Sequence, residues 1–322
     1  MAALPLLTIL PIAALVALVV LSLLAPHTAD SLAVPIAVVG AALGIPHGAV
    51  DHLVPRWSTT SADSRSCATT RGTRLLAFVV AYAGVAGLAF TASLIMPSVT
   101  IVAFLVLSAL HFGRGEVVTT AERAGRAVPG PREEWAATVA PGLVVVGLLL
   151  WARPDRTAEL VRPMSSWLAR VLPASAPVGL LLVAVAVVVA IAVQLSRHRF
   201  LDAAELALLT LAFAVAPPVA AFGVWFGLWH AVRHTGRLLD LARQPSASVP
   251  SSRDWWNAAR RLLVAGSLPS LAALSAVAAM WLLRDLAGLH AEIGVLLALT
   301  FPHAAVVAAL DRNEARSWAL TG

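Results

Sequence analysis

The stretch SLAVPIAVVGAALGIPHGAVDHLV, residues 31–54, decides the fold. Its first part, residues 31–44, is apolar enough to lie in lipid, and the remainder places two histidines and an aspartate in the same run. A helix needs about 20 such residues to cross a hydrocarbon core about 30 Å thick, and this stretch has them. An ionisable group at membrane depth is costly and usually functional, so His47, Asp51 and His52 mark a site.

The same apolar texture recurs along the chain. Of 322 residues, 59% are hydrophobic and 12% charged, with a mean hydropathy of +0.85. That composition excludes an ordinary soluble domain. It predicts one integral-membrane domain over residues 1–322, an all-α polytopic transmembrane helix bundle of about ten spans. Hydropathy and the Pro, Gly and Arg breaks place them near 4–25, 31–54, 74–95, 98–113, 136–152, 175–195, 202–216, 217–236, 259–283 and 289–310. The run from Leu4 to Ala25 lacks a basic n-region and is read as a first helix, not a cleaved signal. Division at Pro217-Pro218 is the weakest of the set.

All 23 basic residues are arginine, which rules out a lysine Schiff base. The lone cysteine, Cys67, rules out an internal disulfide or a thiolate cluster. With ten spans, 18 of the 23 arginines collect on the side that carries both termini. The positive-inside rule then puts both termini in the cytoplasm and the protein in the cell membrane. The net charge of +6 belongs to those loops and does not argue for nucleic acid as a partner.

Of nine histidines, His27, His198 and His290 fall in loops. The other six are His47 and His52 in the second span, His111 in the fourth, His230 and His234 in the eighth, and His303 in the tenth. All lie on even-numbered spans, toward their cytoplasmic ends. One histidine there reads equally as a helix C-cap. Six at one depth on four spans are poorly explained by capping, and imidazole is the commonest metal ligand.

Spacing refines the choice. His230 and His234 are four apart, the relation that lets two imidazoles share one ion. His47 and Asp51 are also four apart, whereas His52 is rotated from His47 by about 140° at about 100° per residue. His47 is therefore the expected ligand; Asp51 either fixes its ring from outside or caps and pairs with Arg56. Four imidazoles, from His47, His111, His230 and His234, leave open positions on an octahedral metal. Neutral nitrogen suits iron, copper or zinc, and the residues do not rank these. His52 and His303 are expected as outer or reserve ligands.

Phe112, Phe222, Trp225, Phe226, Trp229 and Phe301 surround these histidines. They read as core packing or as the wall of a site for a long lipophilic substrate, with Trp225 and Trp229 one helical turn apart. Gly44, Gly48, Gly113, Gly223 and Gly227 are expected at close helix approaches.

GIPHGAVDH at 44–52, HFG at 111–113, WHAVRH at 229–234 and FPH at 301–303 resemble, in order, the Brp/Blh family of membrane β-carotene 15,15′-dioxygenases. The resemblance implies cleavage of the central double bond of β-carotene, or of a related carotenoid, by O₂ at ferrous iron, giving two molecules of retinal. It carries His47, His111, His230 and His234 over as iron ligands and matches His52 and His303 without assigning them roles. The arginine-rich loops at 55–74 and 237–258 fall outside the family pattern. Oligomeric state stays open.

Other classes fit less well. A di-iron desaturase needs more histidine boxes than the single HxxxH here, and a prenyltransferase needs aspartate-rich motifs that are absent. A bis-histidine haem protein and a transporter using Asp51 and the histidines as a relay remain open. A relay would place polar groups toward both membrane faces, and these cluster toward one.

Overall fold

A computed structural model describes residues 4–54, 68–129, 135–242, 252–282 and 289–321, and all regular structure among them is helical. Cys67 and the arginines of 55–67, 130–134, 243–251 and 283–288 lie outside the described residues, as does the side chain of His290.

In chain order the helices are α1 (Leu4–Leu24), α2 (Pro26–Ser31), α3 (Ala33–Gly44), α4 (Ala68–Ile95), α5 (Pro97–Arg123), α6 (Trp135–Trp151), α7 (Pro154–Val161), α8 (Ser166–Ser196), α9 (Phe200–Val215), α10 (Pro218–Val224), α11 (Ala231–Ala242), α12 (Ser252–Leu282) and α13 (Leu289–Thr321). A 3₁₀ segment, Ile45–Leu53, continues α3, and a π-helical segment, Trp225–His230, joins α10 to α11. Each of the ten expected segments thus falls on helix.

Among the described residues six helical stretches are long and apolar enough to cross a membrane: Ala33–Leu53, Gly72–Ile95, Pro97–Arg123, Ser166–Ser196, Asp254–Ala279 and Gly294–Asn313. A seventh candidate is the pair Ala137–Trp151 and Pro154–Val161, bent by 83°. At the weakest division, Ala216 and Pro217 are extended and Pro218 opens α10, so α9 and α10 are separate helices. Gly125 and His198 adopt left-handed φ values of 63° and 57°, closing α5 and α8.

The chain forms two compact units. Unit 1 comprises Met1–Ile45 and Leu105–Arg237; unit 2 comprises Pro46–Phe104 and Leu238–Gly322.

Unit 1 is built on helices that meet backbone to backbone. A Cβ on Gly113 would overlap the carbonyl oxygen of Thr138, and one on Gly142 that of Ala109, so α5 and α6 cross at two glycines. Gly40 of α3 meets Gly223 and Gly227 in the same way. Small residues at these crossings supply the close packing that drives helix association where burial from water cannot.

Unit 2 packs α4 along α13, with a second core of Val50, Val54, Leu238, Leu239, Ala258, Leu262 and Leu310. On α4 the more sheltered positions include Leu75, Phe78, Tyr82, Ala86, Ala89 and Ser93, a helical stripe, with Phe90 and Ala92 beside it. Leu76, Val80, Leu88 and Ile95 are exposed. An apolar outer face of that extent suits a lipid solvent.

Gly113→Val should lower stability by about 1–3 kcal/mol through overpacking at the α5–α6 crossing. Gly84, whose Cβ would meet open space, should accept alanine with a gain of about 0.5–1 kcal/mol. Thermal unfolding in detergent checks both.

Candidate metal centre

In unit 2 the chemistry begins with the winding of residues 45–53. Pro46 lacks the N–H that an α-turn would use, and the chain tightens into 3₁₀ form. At about 120° per residue, Asp51 no longer shares a face with His47. The carboxylate is instead bonded to His303 of α13: Nδ1–H donates to Oδ2 at 2.9 Å, with Oδ1 at 3.1 Å. The outer acceptor expected for His47 therefore holds a different ring.

His303 is thereby left with its Nε2 lone pair, which faces Nε2 of His47 at 3.2 Å. The two rings meet edge to face with centroids 4.7 Å apart. Gly48 makes room for this arrangement, since a Cβ there would sit 3.2 Å from Nδ1 of His303. Tyr82 of α4 donates its hydroxyl to Asp51 Oδ2 at 3.1 Å. His52 turns to its own backbone, Nδ1 bonding the carbonyl of Ala49 at 3.1 Å. Phe301 is half-buried two residues before His303.

Unit 1 holds the other expected ligands, all buried. His111 of α5 lies 5.3 Å from His230, ring to ring, and His230 stacks with His234 at 6.3 Å and 9°. Trp225 and Trp229, at the two ends of one turn of this π-helical segment, are both buried and differ in their partners. Trp225 stacks on His230 at 5.2 Å and meets Phe112 at 4.6 Å, in an aromatic group with Phe213 and Phe222. Phe226 stacks on Phe222 at 5.6 Å, and its ring fills the space a side chain at Gly44 would take.

Trp229 faces a buried ionic network that the histidine-centred argument missed. Its Nε1–H donates to Glu116 Oε1 at 2.9 Å, and the Arg233 guanidinium lies 3.8 Å over its ring. Arg233 reaches Glu116 Oε2 at 2.7 Å and Glu205 Oε1 at 2.9 Å. Glu205 also pairs with Arg123, which shares Asp202 with Arg126. A cleft of about 40 Å³, lined by Glu116, Gln194, Asp202 and Glu205 together with apolar side chains, has room for a few waters. The signal was present in the sequence: opposite charges inside apolar helices must pair.

The donor set fits a metal. Two nitrogens on one ion at about 2.1 Å lie about 3.0 Å apart at a right angle and about 3.4 Å at the tetrahedral angle, which brackets the His47–His303 spacing. A carboxylate on the far nitrogen of a histidine is the arrangement that fixes a ligating ring.

The family described as β-carotene 15,15′-dioxygenase matches residues 36–311. A probable β-carotene 15,15′-dioxygenase, Blh, of Halobacterium salinarum is 30% identical over 307 residues, covering 87% of this chain and 84% of the relative. No solved structure matches.

Glu116→Ala would leave Arg233 short of a partner in an apolar interior, with an expected cost of about 3–5 kcal/mol. Glu116→Gln, which keeps an acceptor for Trp229, should cost less. Comparing the two unfolding midpoints tests the network.

Proposed function

The chain belongs to the β-carotene 15,15′-dioxygenase family, and from that premise we propose that it cleaves the central 15,15′ double bond of β-carotene with O₂ at a histidine-held Fe(II), giving two molecules of all-trans-retinal. The carrying observation is the family match over residues 36–311, a span that contains all six histidines set apart in the apolar helices. One C=C breaks and two C=O bonds form, with both oxygens of O₂ consumed and no external reductant.

We assign His47, His111, His230 and His234 as iron ligands, with His303 as a further donor held by Asp51. Bound iron supplies the redox chemistry that ground-state O₂ needs to react with an alkene. The chain's own residues do the rest. Neutral imidazoles hold a cation without placing carboxylates next to an apolar substrate, and the Asp51 bond keeps the His303 proton on Nδ1, away from the metal side. Phe112, Trp225, Phe226 and Phe301 are the proposed wall along which the polyene lies, excluding water. Trp229, bonded to Glu116, supports that wall from the ionic side.

The protein would work as a single integral-membrane domain of about ten spans in the cell membrane, with both termini cytoplasmic and the metal near the cytoplasmic ends of the even-numbered spans. A carotenoid dissolved in the bilayer could then enter laterally. The six apolar stretches of spanning length support a helical membrane protein.

Expression in bacteria that accumulate β-carotene should bleach the cells and yield retinal by chromatography. His111→Ala and His230→Ala should each lose iron and retinal formation while the protein still inserts. Full activity with unchanged iron in either variant would overturn the ligand assignment.

A further inference from the structure

Tyr82 is the one tyrosine in the chain, and it stands on a helix most of whose other side chains are small or aliphatic. Its neighbours Leu76, Val79, Val80 and Val85 are exposed apolar residues. Tyr82 itself turns inward, with Phe78 5.7 Å from its ring, and spends its hydroxyl on Asp51. A buried carboxylate needs donors, and among the described residues Asp51 has two, His303 and Tyr82.

Both donors converge on Oδ2, while Oδ1 receives only the longer contact from His303 at 3.1 Å. The histidine alone would leave the carboxylate able to swing about its bond to Cβ. A second donor from α4 removes that freedom, because three elements (α4, the 3₁₀ segment and α13) now fix one oxygen. The phenol also draws electron density from the carboxylate, which makes it a weaker acceptor for His303 Nδ1–H and the Nε2 lone pair less basic.

We propose that Tyr82 is a positioning residue of the metal centre: by holding and polarising Asp51 it sets the orientation and donor strength of His303. This rests on the reading that His303 faces a metal. The class of group involved is a phenol hydrogen-bonded to the carboxylate of a carboxylate–histidine pair, one step further from the metal than such pairs are usually followed.

Because there is a single tyrosine, growth on 3-fluorotyrosine labels this position alone with a one-atom change. Zn(II), which is diamagnetic, is added to metal-free full-length protein in detergent, and the ¹⁹F resonance is recorded with metal uptake measured in parallel. The expected result is a single resonance that shifts on zinc binding, a shift abolished in His303→Gln. In the iron-loaded enzyme, Tyr82→Phe should keep its iron, lower kcat about tenfold with KM unchanged, and alter the electron paramagnetic resonance signal of the Fe(II)–nitric oxide adduct.

A protein that takes up zinc while its ¹⁹F resonance stays fixed, or shifts equally in His303→Gln, overturns the role of Tyr82 and leaves the metal centre standing. So does a Tyr82→Phe enzyme of normal kcat and unchanged spectrum. A chain that takes up no metal overturns the metal reading and this proposal with it. If Tyr82→Phe does not accumulate, the fluorotyrosine measurement still decides.

Discussion

The hydrogen bond from His303 to Asp51 is the contact on which the chemistry of unit 2 depends. An imidazole in an apolar interior has one donor and one acceptor, and the carboxylate decides which nitrogen is which. Fixing the proton on Nδ1 frees Nε2 to face His47. The surrounding structure serves that bond: a tightened backbone turns Asp51 toward α13, a glycine clears space for the ring, and α4 packs alongside to bring Tyr82 within reach.

Unit 1 meets the cost of buried charge by a different route. Asp202, Glu116 and Glu205 are set against Arg123, Arg126 and Arg233, three carboxylates against three guanidiniums. A balanced group of this kind adds little net stability compared with apolar packing, yet removing one member is expensive. It ties α5, α9 and α11 to one another. Arg233 sits between His230 and His234 in sequence, so whatever fixes Arg233 also restricts how the helix bearing both histidines can rotate.

Much of this was visible in the sequence, because hydropathy and proline placement respond to the solvent around a helix. Each of the ten expected segments overlaps helix, six stretches among the described residues have spanning length, and the separation at Pro217-Pro218 follows from the extended conformation that proline imposes on its neighbours. Side-chain direction was harder. A wheel of about 100° per residue aligned His47 with Asp51, an alignment that fails where the backbone winds more tightly than an α-helix. Spacing along one segment also does not show which distant helix a side chain meets. Glu116, Arg233 and Tyr82 were overlooked for a related reason: each looked like an isolated residue until its partner, 31 or more positions away, was brought beside it.

The π-helical segment has an evolutionary corollary. A helix of this form carries one more residue per turn's worth of hydrogen bonds than its α-helical flanks, which is what a single inserted codon produces. Deleting one residue between Trp225 and His230 would restore ordinary winding and swing Trp225 by roughly a quarter turn relative to His230 and His234. An insertion or deletion there would separate the stacking ring from the histidine it touches.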